Sequence, residues 1–227
     1  MNIGVLGTGI VGRTISAHLA GGGHSVVIGT RDVAHTLAQS APDAMGTPPF
    51  SAWHGSHAQV RLGTFAEAAA HGDVLINATV GHASLNALAA AGGDALAGKV
   101  LLDIANPLDF SHGMPPSLFV CNTDSLAEQI QRAFPALKVV KTLNIVTASV
   151  MVNPSLVAGG DHHMLLCGND AGAREAVAGY LRDWFGWQHV LDLGDLSAAR
   201  GMEMMLPVWL RLWGALQTPM FGYKIAR

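Results

Sequence analysis

The chain has 227 residues, of which 50% are hydrophobic and 13% are charged, and its formal net charge is −3. A chain this apolar can bury a sizeable core, which excludes wholesale disorder. The slightly acidic balance offers no basic surface for nucleic-acid binding. The two cysteines, Cys121 and Cys167, lie far apart and form no disulfide framework, which is typical of a reducing compartment.

Neither end of the chain has the pattern of a membrane or export segment. The start, MNIGVLGTGIVG, lacks the charged region and cleavage site of a signal peptide. The most apolar late stretch, Met204 to Leu216, is interrupted by Pro207 and Arg211 and is shorter than the ~20 residues that a spanning helix requires. We therefore expect a cytoplasmic protein that enters no membrane.

Short apolar runs alternate with helical patterns along the chain. Strands are predicted at 2–6, 25–28, 60–62, 73–78, 99–104, 138–141, 163–167 and 189–193. Helices are predicted at 10–20, 32–39, 65–71, 84–91, 125–134, 171–185 and from 198 onward, with an irregular insertion at 46–55. Strands separated by helices imply a parallel sheet covered on both faces.

This order predicts an α/β fold in two parts. Residues 1–145 are expected to form a Rossmann-type, doubly wound, mostly parallel sheet. Residues 146–227 are expected to form a strand–helix–strand unit and a small helical extension, packed on the first part.

A glycine motif follows the first predicted strand and opens the first predicted helix. Its residues are Gly7, Thr8, Gly9, Ile10, Val11 and Gly12, which match G-x-G-x-x-G. In that context the first glycine permits a tight turn, the second lets the backbone approach a pyrophosphate, and the third lets the helix pack close to the strand. The helix N-terminus then offers free N–H groups to the phosphates. The motif predicts a dinucleotide site.

The end of the second strand decides between NAD and NADP. NAD-binding proteins place Asp or Glu there to accept the ribose hydroxyls. This chain has Gly29, followed by Thr30 and Arg31. Arginine binds a phosphate bidentately and a threonine hydroxyl can donate to it, so we expect NADP(H). Asp32 is expected to cap the next helix.

Three further loops are expected to line the nicotinamide side of the cleft, because ligands of such sheets bind at the carboxyl ends of the strands. The candidates there are Asn77, Ala78, Thr79, Ala105 and Asn106 for the cofactor, and His82 and Asn144 for the substrate. Asn and Thr also occur in ordinary turns and caps, and a surface histidine at a helix start is the alternative for His82.

Eleven histidines raise the question of a metal site. The closest groupings pair His54 with His57 and His162 with His163, and neither pair lies in an HExxH or Cys/His frame. We expect solvated loop histidines and no metal.

The C-terminal tail carries one apolar helical stripe. It consists of Met202, Leu206, Trp209, Trp213 and Leu216, at alternating spacings of four and three. Pro207 is expected to kink this helix or to begin a fresh one. The stripe either packs on the sheet or forms a homodimer interface that also closes the acceptor pocket, because Trp and Met are enriched at interface cores. We expect a homodimer.

Four motifs together suggest a family: the early GTGxxG, GTR after the second strand, ANPL after the fifth and KTLN after the sixth. With these the chain resembles the NADPH-dependent coenzyme F420 (8-hydroxy-5-deazaflavin) reductases, and the resemblance continues through the segment from Leu193 to Arg200. It implies direct hydride transfer between NADPH and a deazaflavin. It also implies that Thr8, Gly9, Ile10 and Val11 hold the pyrophosphate and that Thr30 and Arg31 hold the 2′-phosphate.

Hydride transfer between stacked rings depends on proximity and orientation more than on acid–base catalysis. We therefore nominate no catalytic side chain, and no G-x-S-x-G elbow occurs. The leading prediction is an oxidoreductase that passes hydride between NADPH and a deazaflavin or flavin-like ring. An NADPH-dependent reductase of a small imine or carbonyl is an alternative, favoured if a buried donor such as Lys141 points at the acceptor carbon. A non-enzymatic NADP-sensing module is the other.

Overall fold

The computed structural model describes residues 1–42 and 46–227. Its strands are β1 (Asn2–Leu6), β2 (Ser25–Thr30), β3 (Arg61–Thr64), β4 (Val74–Asn77), β5 (Val100–Asp103), β6 (Leu108–Asp109), β7 (Ser117–Leu118), β8 (Lys138–Thr142), β9 (His163–Gly168) and β10 (His189–Asp192). Its helices are α1 (Ile10–Gly21), α2 (Val33–Ala38), α3 (Phe50–Gly55), α4 (Phe65–His71), α5 (Ser84–Ala91), α6 (Gly93–Leu96), α7 (Leu126–Ala133), α8 (Ala148–Val152), α9 (Ala171–Asp183) and α10 (Ala199–Leu216).

Eight strands form one sheet in the order β10-β9-β8-β5-β4-β1-β2-β3. Neighbouring strands are parallel except β8 and β9, which are antiparallel. The short strands β6 and β7 pair separately as a hairpin. The chain runs from β1 to β2 and β3 on one side of β1 and then crosses to β4 on the other side. This reversal of direction is a switch point, which opens a crevice at the carboxyl ends of the strands.

Apolar side chains cover both faces of the sheet. One cluster packs α1, α8 and α9 on the sheet, with residues such as Ile15 and Val177 fully buried. The other packs α4, α5 and α7, with Leu88 and Ile130 fully buried. The helix α10 contributes to both clusters. The predicted Rossmann-type α/β fold, with its helical extension at the C-terminal end, is confirmed.

Three short elements lie outside the predicted ones, and α10 excludes one of the two alternatives expected at Pro207. The hairpin β6–β7 and the short helices α6 and α8 have no clear sequence period, so their sequence does not predict them. The helix α10 runs through Pro207 without a fresh start. Buried Leu206 and Trp209 flank the proline and hold both halves of the helix on the sheet, which offsets the backbone hydrogen bond that proline cannot donate.

The C-terminal unit β9–α9–β10 extends the same sheet that begins with β1. The division at residue 145 stays a prediction. Of the helices in residues 1–42 and 46–227, none combines the length and apolar character that crossing a bilayer requires.

Candidate functional site

The glycine loop between β1 and α1 has the geometry that its sequence predicts. Gly7 has a φ of 114°, and a Cβ there would lie 2.6 Å from the Ala78 carbonyl oxygen. A Cβ on Gly12 would lie 1.9 Å from the Gly7 oxygen, which fixes how closely α1 approaches the strand. Nothing lies within 4 Å of the Cβ position of Gly9. The N–H groups of the first turn of α1 have no intrahelical acceptor, so they face this open space ready for an anion.

One end of the crevice is a cavity of about 550 Å³ beyond the end of β2. It is lined by Thr8, Arg13, Thr30, Arg31, Asp32, His35, Thr36, Gln39 and Phe50. The Arg31 side chain is exposed. Arg13 lies deeper: its Nε donates to the Thr8 carbonyl at 2.7 Å, and its guanidinium lies 5.3 Å from the Phe50 ring centre. Two guanidinium groups therefore flank this cavity, where a 2′-phosphate would lie.

Thr30 and Asp32 organise the turn after β2. The Asp32 carboxylate accepts from the His35 N–H at 2.9 Å, so the expected helix cap is present. The Thr36 hydroxyl donates to the Asp32 carbonyl, and the Thr30 hydroxyl therefore donates to Thr36, at 2.8 Å. Because its hydrogen is engaged there, Thr30 lines the cavity without offering the hydroxyl donor that the sequence suggested. The positive charge at this end comes from the arginines, and the Asp32 carboxylate is also part of the lining.

The middle of the crevice is a cavity of about 440 Å³ beneath the glycine loop. It is lined by Gly7, Thr8, Gly9, Gly29, Thr30, Arg31, Phe65, Ala78, Thr79, Val80, His82, Ala83, Asn86, Ala87 and Ala90. His82 is among these lining residues and is not among those of the smaller cavity that Ala105 and Asn106 line. Its expected place beside the acceptor stays a prediction.

A third cavity, of about 240 Å³, lies across β1 from the arginines. It is lined by Val11, Ala78, Thr79, Val80, Gly81, Ile104, Ala105, Asn106, Leu108 and Phe110. This is the side of the switch point on which a nicotinamide ring would lie. No acidic or basic side chain is among these lining residues, and most of the surface is apolar or backbone.

Two of the candidate ligands, Asn77 and Asn144, have side chains that line none of the three cavities. Asn77 is fully buried: its Nδ2 donates to Asp103 at 2.8 Å and to Ser84 at 3.2 Å, and its Oδ1 accepts from the Thr79 hydroxyl at 2.7 Å. Its side chain has no free group for a ligand. The amide had the polarity expected of a ligand, but it ends a central strand, and its side chain joins the loops beneath the crevice.

Asn144, the second of these, is also buried and lines none of the three cavities. Its Nδ2 donates to Asn106 Oδ1 at 2.9 Å and to the Met202 carbonyl at 3.1 Å. It therefore ties the loop after β5 to α10 and supports Asn106, which does line the nicotinamide-side cavity. Its contribution is indirect.

Lys141 lies at the centre of a buried ionic network next to these loops. Its Nζ lies 2.8 Å from Asp103 and 2.9 Å from Glu203, and it also donates to the Ala105 carbonyl. All three charged side chains are at most 1% exposed. Burial opposes the charged ammonium, but the two carboxylates outweigh it and raise the pKa of Lys141. Its three hydrogens are engaged, so none points into the crevice.

The histidine pairs are held by the protein rather than by solvent. His54 and His57 bond to the carbonyls of Val60 and Trp53 at 2.8 Å each. His162 is buried and bonds to the Pro154 carbonyl at 3.0 Å. In the part of the chain that the structure describes, no three His, Cys, Asp or Glu residues are grouped to hold a metal ion.

Comparisons with known proteins place the chain in a family. The family model for coenzyme F420-dependent NADP oxidoreductases matches residues 2–107. A crystal structure from Arthrobacter sp. FB24, provisionally described as an F420-dependent NADP reductase, is 58% identical over 100% of both chains, with a TM-score of 0.95. The chain belongs to the family of coenzyme F420-dependent NADP oxidoreductases. The predicted family is thus confirmed, and with it the prediction of an NADPH-dependent oxidoreductase.

Two other known proteins are less similar to this NADP oxidoreductase. Metalloreductase STEAP3 of Rattus norvegicus is 32% identical over 215 residues, which is 91% of this chain but only 37% of the length of that protein. An imine reductase from Myxococcus stipitatus, solved with NADP⁺, is 16% identical with a TM-score of 0.62 and covers 96% of this chain and 64% of its own. The similarity to the imine reductase shows a shared fold.

Sequence analysis of this NADP oxidoreductase did not identify several residues that line the crevice. Arg13 directly follows the glycine motif, and an arginine next to a phosphate loop is a signal that could have been used. Phe50 stands in the insertion at 46–55, whose irregular sequence gives no hint that it folds back over Arg13. Phe110 follows the ANPL motif in a segment without a periodic pattern.

Proposed function

We propose that this chain transfers hydride between NADPH and a deazaflavin, or a flavin-like ring, stacked on the nicotinamide. The carrying observation is the nicotinamide-side cavity, whose lining has no acidic or basic side chain. A flat, apolar wall suits the stacking of two rings, and direct transfer needs the reacting carbons held at ~3–3.5 Å rather than an acid or base. NADPH gives up a hydride and becomes NADP⁺, and the acceptor takes a proton from solvent.

The same cavity argues against reduction of a small imine or carbonyl. That reaction needs a donor near the acceptor atom as charge develops on it. Lys141 is the buried donor that the sequence offers, but its hydrogens are engaged with Asp103, Glu203 and Ala105. The proposed cofactor site uses the glycine loop for the pyrophosphate, Arg31 for the 2′-phosphate, and Ala78, Thr79, Ala105 and Asn106 for the nicotinamide. Arg13 supports the phosphate end through its bonds to the Thr8 and Pro48 carbonyls.

Steady-state oxidation of NADPH, with coenzyme F420, FMN and FAD offered separately, tests the acceptor. We expect turnover with the deazaflavin and little with FMN or FAD. Equal turnover with all three would make the chain a general flavin reductase. No turnover with any ring, in a protein that binds NADPH, would contradict the proposal and return the small imine or carbonyl and the sensor to consideration.

We also propose that the chain forms a homodimer through the end of α10. The stripe on this helix divides: Met202 and Leu206 are buried against the sheet, whereas Leu216 is 54% exposed. A cavity of about 640 Å³ beside that end is lined by residues such as Met114 and Trp213. Such an exposed apolar surface is typical of an interface. Analytical ultracentrifugation should give twice the chain mass, and Leu216→Glu should lower it; a monomeric wild type would contradict the proposal.

A further inference from the structure

The ionic network around Lys141 joins three parts of the molecule. Lys141 on β8 and Asp103 on β5 are direct partners in the sheet register, and Glu203 lies on α10. The Glu203 carboxylate also accepts from the first N–H groups of α7, those of Leu126 and Ala127, at 2.8 and 3.2 Å. Each charge therefore has hydrogen-bonded partners, as burial requires.

The network continues into both loops that line the nicotinamide-side cavity. Asp103 Oδ1 accepts from Asn77, which in turn holds Thr79 in the loop after β4. Lys141 holds the Ala105 carbonyl in the loop after β5. A buried ion pair contributes little to stability relative to a well-packed apolar group, because desolvation offsets the attraction between the charges. The contacts of the network with these two loops point to a role in orienting the loops.

Lys141 fixes the orientation of the peptide group between Ala105 and Asn106. This peptide bond is trans, and in a trans peptide the C=O and the N–H point in opposite directions. Since the Ala105 carbonyl points at Lys141 in the core, the Asn106 N–H points away from Lys141, and both Ala105 and Asn106 line the nicotinamide-side cavity. Within residues 1–42 and 46–227, no protein acceptor takes this N–H.

We propose that Lys141 is a positioning residue for hydride transfer, which acts by turning the Asn106 N–H toward the nicotinamide carboxamide. The inference rests on the proposed function, because it needs a nicotinamide in that cavity. The N–H donates to the carboxamide oxygen and so fixes the rotation of the ring. Asp103 and Glu203 hold the ammonium in place. Asn144 braces the same loop from the other side through Asn106.

A charge-matched double variant tests this role. Lys141→Met with Asp103→Asn removes one positive and one negative charge, so the buried network keeps its net charge, and Glu203 still caps α7. The control is Lys138→Met with Asp170→Asn. Lys138 lies on the same strand as Lys141, and its ammonium is 3.2 Å from the Asp170 carboxylate, but both side chains are partly exposed. Asparagine also serves as a helix cap, so α9 keeps its N-terminus in the control.

In the double variant we expect unchanged affinity for 2′,5′-ADP, which lacks the nicotinamide, and a kcat lower by about 10- to 100-fold, since a misplaced ring slows transfer to that extent. The fluorescence anisotropy of bound NADPH should fall, and the deuterium isotope effect with NADPH labelled at C4 should rise. The control should match wild type. The loss of a cation beside buried Glu203 lowers the melting temperature whichever role Lys141 has. A purely structural role would instead weaken the binding of 2′,5′-ADP and of NADPH alike.

The outcomes separate this inference from the function on which it rests. Wild-type kcat and anisotropy in a folded double variant would overturn the role of Lys141. A wild-type protein that binds NADPH but reduces no ring overturns the acceptor alone, and the anisotropy still decides the role of Lys141. Failure of the wild type to bind NADPH overturns both. If the double variant does not fold, Glu203→Gln, which keeps the shape of the side chain, should shift kcat and anisotropy in the same direction.

Discussion

Replacing Arg31 by alanine is expected to weaken NADPH binding about 10- to 100-fold and to leave NADH binding nearly unchanged. The side chain is exposed at the end of the crevice where we propose that the 2′-phosphate binds, and hydrogen bonds to a charged group contribute about 1.5–3 kcal/mol. NADH lacks the 2′-phosphate and so loses nothing. Titration of each nucleotide against the protein, followed by nicotinamide fluorescence, measures both affinities.

Arg61→Ala is the matched control for this substitution. It removes the same charge from an exposed position at the start of β3, outside the three cavities of the crevice. It should leave the preference for NADPH over NADH intact. Two outcomes would show that Arg31 acts through overall charge and does not bind the 2′-phosphate. One is an equal loss of affinity for NADPH and NADH in Arg31→Ala, and the other is an equal loss of NADPH affinity in Arg31→Ala and Arg61→Ala.

A pair of glycine substitutions should separate the stability of the phosphate loop from its binding. Gly12→Ala places a Cβ 1.9 Å from the Gly7 carbonyl oxygen, so α1 must move away from the strand. Overpacking of this kind costs about 1–3 kcal/mol, and more where backbone cannot yield. We expect a lower melting temperature and loss of NADPH binding together.

Gly9→Ala should lose NADPH binding without losing stability. Nothing lies within 4 Å of its Cβ, and its φ of −72° suits any residue, so the melting temperature should stay within a few degrees of wild type. NADPH binding should nevertheless be lost, because the new methyl group occupies the space into which a pyrophosphate would fit. A Gly9→Ala variant that binds NADPH normally would contradict the placement of the cofactor. Thermal melts and nucleotide titrations on both variants provide the test.

The regular elements were predictable because their signals are local. The helix Phe65–His71 is preceded by Thr64 and contains Glu67, whose side chains complete a capping box, and its predicted bounds match the structure. The glycine motif is likewise local, since three backbone constraints fall within six residues. Hydrophobic runs marked the strands of the sheet in their correct places, although β2 and β3 extend further than their apolar residues.

The parts that escaped prediction depend on contacts between distant residues. Asn77, read by residue type at a strand end, looks like a ligand, yet its partner Asp103 belongs to the neighbouring strand. Asn144 is held by Met202 on the last long helix, and no spacing rule relates the two positions. Arg13 reaches the carbonyl of Pro48 in an irregular segment. Side-chain type gave the polarity of the site, but which polar groups face the crevice depends on the tertiary fold.

The contact between Glu203 and Lys141 also constrains the order in which a newly made chain can mature. Synthesis delivers β5 and β8 well before α10, so a partly made chain carries an ammonium at Lys141 with Asp103 as its one carboxylate partner. The first N–H groups of α7 also lack their acceptor until Glu203 arrives. The helix α10 therefore completes the interior of the first half, and the loops after β4 and β5 reach their final arrangement only once α10 has been made.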